Sequence, residues 1–168
     1  MHPNEAYALL DEVLSQYGAS EFGRINQIML GFSFIGAGYK VPTMQLTGRP
    51  DIVAKNEVAT YDVEVKTSSS SNILLKTEDL TGVSGHDSMS LIAVLTYPDV
   101  PLRWLMANAK RLGPRVYPKT ALEVYNIANL EKSITNQFLL ELEKYRLYIL
   151  QGTDILLRVF RDVQGKGL

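Results

Sequence analysis

The hexapeptide Tyr61-Asp62-Val63-Glu64-Val65-Lys66 alternates strictly between apolar or aromatic residues and charged ones. Successive side chains of a strand point to opposite faces, so this period fits a strand and not a helix. Tyr61, Val63 and Val65 share one face; Asp62, Glu64 and Lys66 share the other. Upstream, Gly48-Arg49-Pro50-Asp51-Ile52-Val53-Ala54 reads as a turn feeding a short apolar strand. Lys55-Asn56-Glu57-Val58 is a hairpin-sized link between the two. If those strands pair, Asp51, Glu64 and Lys66 converge at one edge of a sheet. Two carboxylates beside an ammonium suit a hard divalent cation and the phosphate it binds. Glu64-Val65-Lys66 is the only acid-any-Lys triplet in the chain, but about one is expected by chance at this lysine content. The alternative is a half-exposed strand whose outer charges pair and stay solvated.

Pro50-Asp51, twelve further residues, then Glu64-Val65-Lys66 resembles the motif of the PD-(D/E)xK nuclease superfamily, which includes restriction endonucleases and archaeal-type Holliday junction resolvases. The resemblance spans about residues 20–107. It implies an α/β fold, a restriction-endonuclease-like central mixed β-sheet flanked by helices, here with extra C-terminal helices. The implied element order is a helix, a strand, the Asp strand, the (D/E)xK strand, then a helix and further strands. It also implies a metal-dependent endonuclease that hydrolyses DNA phosphodiester bonds, of restriction or junction-resolving type, using Mg²⁺ or alternatively Mn²⁺. Asp51, Glu64 and the Val65 carbonyl would hold the metal, and Lys66 would position water or offset charge at the phosphate. Such nucleases often carry a further acid on the first helix, and at the matching place this chain has Gln27. Glutamine binds metal more weakly than carboxylate, and a buried, hydrogen-bonded helix residue is the other reading of Gln27. Glu21 lies six residues earlier, about 240° round a helix and so on a different face.

The 168-residue length fits one domain with a real core, its nuclease-like part at about 20–107 and a helical part at about 119–163. Residues 1–16 carry Asp11 and Glu12 in place of a basic start and apolar run, so no signal peptide is expected. No stretch has the apolar length of a membrane span, and the default compartment is the cytoplasm. The absence of cysteine excludes disulfides, zinc ribbons and thiol nucleophiles. A net charge of −1 argues against a strongly basic nucleic-acid binder. Yet Arg103, Lys110, Arg111, Arg115 and Lys119 fall between Val100 and Thr120 with no acid among them. That stretch could track phosphates, or be a solvated helix start and loop.

Residues 4–17 read as an amphipathic helix, and Gly18-Ala19-Ser20 breaks it before a second, nearly all-apolar helix from Glu21 to about Gly36. Lys40–Leu46 reads as a strand, with Pro42 suiting an edge. Strands follow at 50–55 and 59–67. Ser68 to Ser71 form a polar loop after the charged strand end, where Ser68 and Ser69 could meet substrate or merely connect. Thr77 reads as the cap of a helix with acids in its first turn. Ser90–Thr96 is an apolar run suited to a buried strand, and Leu102–Ala107 is a further strand. Helices are expected at about 120–130, 134–150 and 153–163. The surplus apolar surface of 134–150 suits either core packing or a homodimer.

Arg49 and Lys76 are weaker phosphate-contact candidates, and a surface ion pair or an idle surface lysine is the plainer reading. His2 and His86 are too few for a zinc site. A Ser-His-Asp triad would need His86, and no Gly-x-Ser-x-Gly elbow exists. The sequence thus leaves two functions open: a DNA-cleaving enzyme acting on duplex or branched DNA, or a non-catalytic nucleic-acid-binding or assembly protein on the same fold.

Overall fold

A computed structural model of the protein describes residues 1–81 and 87–166. Helix α1 (Pro3–Gly36) starts in a capping box between His2 and Glu5 and is broken at Gly18, whose φ of 81° and ψ of 175° are not helical. The expected break is therefore observed. Glycine lacks the Cβ that makes positive φ costly. The second half of α1 is buried from Ile25 to Phe34, as an all-apolar helix must be.

Strands β1 (Lys40–Met44), β2 (Ile52–Lys55) and β3 (Thr60–Lys66) follow, then β4 (Asn72–Leu75) and the short helix α2 (Thr77–Thr81). Next come β5 (Met89–Leu95), β6 (Trp104–Asn108), β7 (Arg115–Pro118), α3 (Ala128–Ile149) and α4 (Thr153–Lys166). The main sheet has the order β1-β2-β3-β5-β6. Its pairs are antiparallel except β3–β5, which is parallel. The chain is thus α/β, a central mixed sheet flanked by helices, and its elements run in the expected order: a helix, a strand, the strand after Asp51, the strand ending in Glu64-Val65-Lys66, then a helix and further strands. Pro42 sits in β1 at the sheet edge, where the register shifts between Lys40 and Thr43; an edge tolerates the lost ladder donor.

Two apolar clusters cover the sheet. On one face Ile28 and Phe32 of α1, Phe138 and Leu142 of α3, and Leu156 and Phe160 of α4 join Ile52, Ala54, Val63, Leu91 and Trp104. On the other face Ile92, Val94, Leu105 and Ala107 pack with Ile73, Leu75, Tyr117 and Leu122. This second cluster draws on β5 and β6 but on no residue of β1, β2 or β3. β5 is consequently apolar on both sides, whereas β3 keeps its charged face.

The α1–α4 contact is close. A Cβ on Gly31 would lie 2.8 Å from Phe160 Cε2 and 3.1 Å from its Cζ, and that ring already meets Phe32 edge-on. Gly31→Ala is expected to destabilise the protein by roughly 1–3 kcal/mol. A thermal midpoint equal to wild type would show that the helices part freely.

Several expectations need correction. The helix read at about 120–130 is a 3₁₀ segment, Lys119–Tyr125, and α3 begins only at Ala128. Asn126 is drawn onto β6 instead: its Oδ1 accepts the Met106 N–H at 2.8 Å, and the Ile127 N–H donates to the Met106 carbonyl at 2.9 Å. Strands β4 and β7 were not expected. They form a separate two-stranded antiparallel sheet and bury Ile73, Leu75 and Tyr117. The serine loop leads straight into β4 through two side-chain turns, Ser68 Oγ accepting from Ser70 N–H and Ser70 Oγ from Asn72 N–H. His86 lies outside the described residues. Among the described residues no helix is long and apolar enough to cross a membrane.

Candidate active site

The register Ile52↔Val63 sets Asp51 one step further on, against the Glu64 end of β3. Side-chain alternation then brings Asp51, Glu64 and Lys66 to the face of the sheet turned away from α1. The Asp51 carboxylate fixes itself there, Oδ2 accepting the Val65 N–H at 2.8 Å. Lys66 Nζ stands 3.4 Å from Glu64 Oε1. Glu64 is only 5% exposed, and its second oxygen, Oε2, is buried with no hydrogen-bond partner.

The group that sequence reasoning missed is Asp79, 2% exposed, on α2. Its Oδ1 receives Lys66 Nζ at 2.9 Å and an Arg49 guanidinium nitrogen at 3.1 Å. Its Oδ2 accepts the Lys76 N–H at 2.8 Å. Lys76, not Thr77, therefore holds the cap position, with Asp79 reaching back from the first turn. In the sequence Asp79 looked like an ordinary helix-start acid, and no spacing rule ties it to Lys66. Three carboxylates and two cations thus share the site.

Burial and the negative charge of Asp51 push the Glu64 carboxyl up to about 7, against the pull of Lys66, with the charge of Asp79 and a side-chain hydrogen bond from the protonated carboxyl to Asp79 adding to the rise. Burial also raises Asp51, with the Val65 N–H and the charges of Lys66 and Arg49 opposing it. Asp79 differs: burial acts upward, but the Lys66 ammonium and the Lys76 N–H outweigh it and hold its carboxyl below the usual range. The site is thus one coupled cluster, in which the desolvated carboxyls of Asp51 and Glu64 hold their protons more tightly than usual while Asp79, bonded to Lys66, holds its own less tightly.

An unpartnered, buried carboxylate oxygen carrying excess negative charge is what a divalent cation would satisfy. The donor set of Asp51, Glu64 and the Val65 carbonyl is all hard oxygen, suiting Mg²⁺ or Mn²⁺. The residues therefore fit such an ion, with water completing the shell. Among the described residues no three His, Cys, Asp or Glu side chains form a metal-holding group on their own.

Gln27 does not reach the carboxylates. Its Nε2 donates to the Gln45 carbonyl at 2.6 Å and lies 3.5 Å from the Asp51 carbonyl, so it braces the main chain that carries Asp51. Glu21 is tied to Thr153 of α4 and to Arg24, away from the site.

The basic stretch is largely engaged within the protein. Arg103 makes two bonds to Glu123. Arg111 lies over Tyr125 at 5.3 Å and Arg115 over Tyr117 at 4.4 Å. Lys119 is buried, its Nζ donating to the Ser68 and Tyr97 carbonyls at 2.7 Å each. Lys110 and Arg111 are exposed on the 3₁₀ segment after β6, Ser69 is exposed, and Ser68 half-buried. The Lys76 side chain is exposed.

No family model matches the chain, and no curated protein does. Among solved structures that match is Hjc of Archaeoglobus fulgidus, a Holliday junction resolvase from an archaeal hyperthermophile, determined at 1.6 Å. The identity is 17% and the TM-score 0.48, over 60% of this chain and 96% of that one.

Proposed function

We propose that the protein is a metal-dependent endonuclease acting on DNA, duplex or branched. The observation that carries this reading is the convergence of Asp51, Glu64 and Lys66 around a buried carboxylate oxygen to which no protein group donates. In this reading Asp51, Glu64 and the Val65 carbonyl hold Mg²⁺ or Mn²⁺. The chemistry such an ion supplies is Lewis-acid neutralisation of the phosphoryl charge.

The chain's own groups do the rest. Lys66, 24% exposed at its side chain, presents an ammonium at the open side of the pair, where it orients the attacking water and offsets charge on the phosphate. Gln27 keeps the Asp51 turn in place through the main chain. Arg49, Ser68, Ser69, Lys76, Lys110 and Arg111 are the side chains from which phosphate contacts would be drawn, and Arg103 joins them only by leaving Glu123. Leu140, Leu147 and Tyr148 are exposed along α3; a two-fold copy packed there would give each strand of a duplex one site. The non-catalytic alternative is favoured by two features, Gln27 where nucleases of the resembled superfamily often carry an acid, and the near-neutral net charge of −1.

The test is incubation of the protein with labelled duplex, single-stranded, flap and four-way-junction DNA, with Mg²⁺, Mn²⁺ or EDTA. We expect cation-dependent cleavage that Asp51→Ala lowers by at least about 10³-fold while its thermal midpoint stays near wild type. DNA left intact by wild type under every condition would move the reading to the non-catalytic alternative.

A further inference from the structure

We propose that Asp79 is a positioning residue for Lys66, holding its ammonium off Glu64 so that Glu64 stays open to a divalent cation. The proposal rests on the cation-site reading above and assigns a role to a residue outside the sequence motif.

Lys66 Nζ is at hydrogen-bond distance from Asp79, 2.9 Å, but farther from Glu64, 3.4 Å. Asp79 is the more firmly held of the two acids. Its oxygens take donors from the end of β3, from the start of α2 and from the turn before β2. A buried carboxylate with three such donors has little freedom to turn. Lys66 has the opposite character, a point charge on a flexible four-carbon stem. Two residues apart on one strand, Glu64 and Lys66 share a face, so Glu64 is always within the lysine's reach. With Asp79 neutralised, the nearest acid left to Lys66 is Glu64. An ammonium settled there takes the place of the cation and donates to the oxygen that now has no donor. Asp79 also holds Arg49, whose charge bears on Asp51, so one residue restrains both cations flanking the pair.

A simple charge effect makes a different prediction. Asp79 attracts a cation by its own charge, so Asp79→Asn would weaken binding by the same factor whatever stands at position 66. The two are separated by measuring Mn²⁺ affinity, by electron paramagnetic resonance of free Mn²⁺, in wild type, Asp79→Asn, Lys66→Ala and the double variant. We expect Asp79→Asn to weaken Mn²⁺ binding at least tenfold and Lys66→Ala to recover most of that loss. The recovery should exceed the effect of Lys66→Ala in wild type by fivefold or more; a smaller ratio overturns the proposal. Should Asp79→Asn not fold, the wild-type protein still decides. The Lys66 ammonium nitrogen should show scalar coupling to the Asp79 carboxyl carbon in NMR, and coupling to the Glu64 carboxyl carbon instead would overturn the assignment. DNA cleavage by the same wild-type preparation is scored separately. Fivefold coupling without cleavage removes the nuclease reading alone, and cleavage without coupling removes the Asp79 proposal alone.

Discussion

Glu64→Gln is expected to abolish cation-dependent cleavage, by at least about 10³-fold, and yet to give a protein more stable than wild type above neutral pH. The two effects have one cause. Glu64 is buried beside Asp51, and its carboxyl titrates near 7 where an ordinary glutamate titrates at 4.5. The folded protein therefore holds this proton more tightly than the unfolded chain does. Stability falls as pH rises through that interval, and above it the full penalty of a buried, half-partnered carboxylate is present. A shift of that size corresponds to roughly 3 kcal/mol, which the neutral amide avoids. Urea denaturation at pH 5 and pH 8 in EDTA reads this directly. The stabilisation should be about 1 kcal/mol or less at pH 5 and about 3 kcal/mol at pH 8, and it should shrink when saturating Mg²⁺ stabilises wild type. A variant less stable than wild type at pH 8 would mean that Glu64 serves the fold and not a ligand.

The largest loss of stability is expected at Lys119. This lysine is 1% exposed, and its ammonium joins two carbonyls from separate segments, Ser68 just after β3 and Tyr97 just after β5. Burial lowers its affinity for the proton, with Asp99 opposing. Lys119→Ala removes both donors and empties the space of the stem, costing about 3–4 kcal/mol. Lys119→Met keeps the stem and loses only the donors, for a smaller cost of about 1–2 kcal/mol. Urea denaturation of the two variants separates these contributions. Equal stability of Lys119→Met and wild type would show that water satisfies the carbonyls as well.

Asp51, Glu64 and Lys66 could be read from the sequence because local rules place them. Alternation decides the face, a four-residue link makes a hairpin, and the hairpin sets the register. Asp79 and Lys119 obey no such rule. Both depend on β4 and β7, strands of four residues each, separated by about forty residues of chain and paired with one another. Four residues are too few for alternation to be distinguished from chance. Lys119 was read as one charge of a basic stretch, whereas the pairing of Asn72 with Pro118 carries it inward. The 3₁₀ segment has a similar origin: its apolar spacing suits a helix, but Asn126 binds β6 and ends it early.

The small sheet has a dynamic consequence for the site. A two-stranded ribbon is marginal alone, and β4–β7 is held by the apolar residues it lays on β5 and β6. Asp79 lies four residues beyond the end of β4, so the place of its carboxylate depends on how the ribbon is seated on the main sheet. The motif residues stand on the main sheet, whereas the acid paired with Lys66 stands just past the ribbon. A shift of the ribbon on β5 and β6 therefore carries to Lys66 through Asp79.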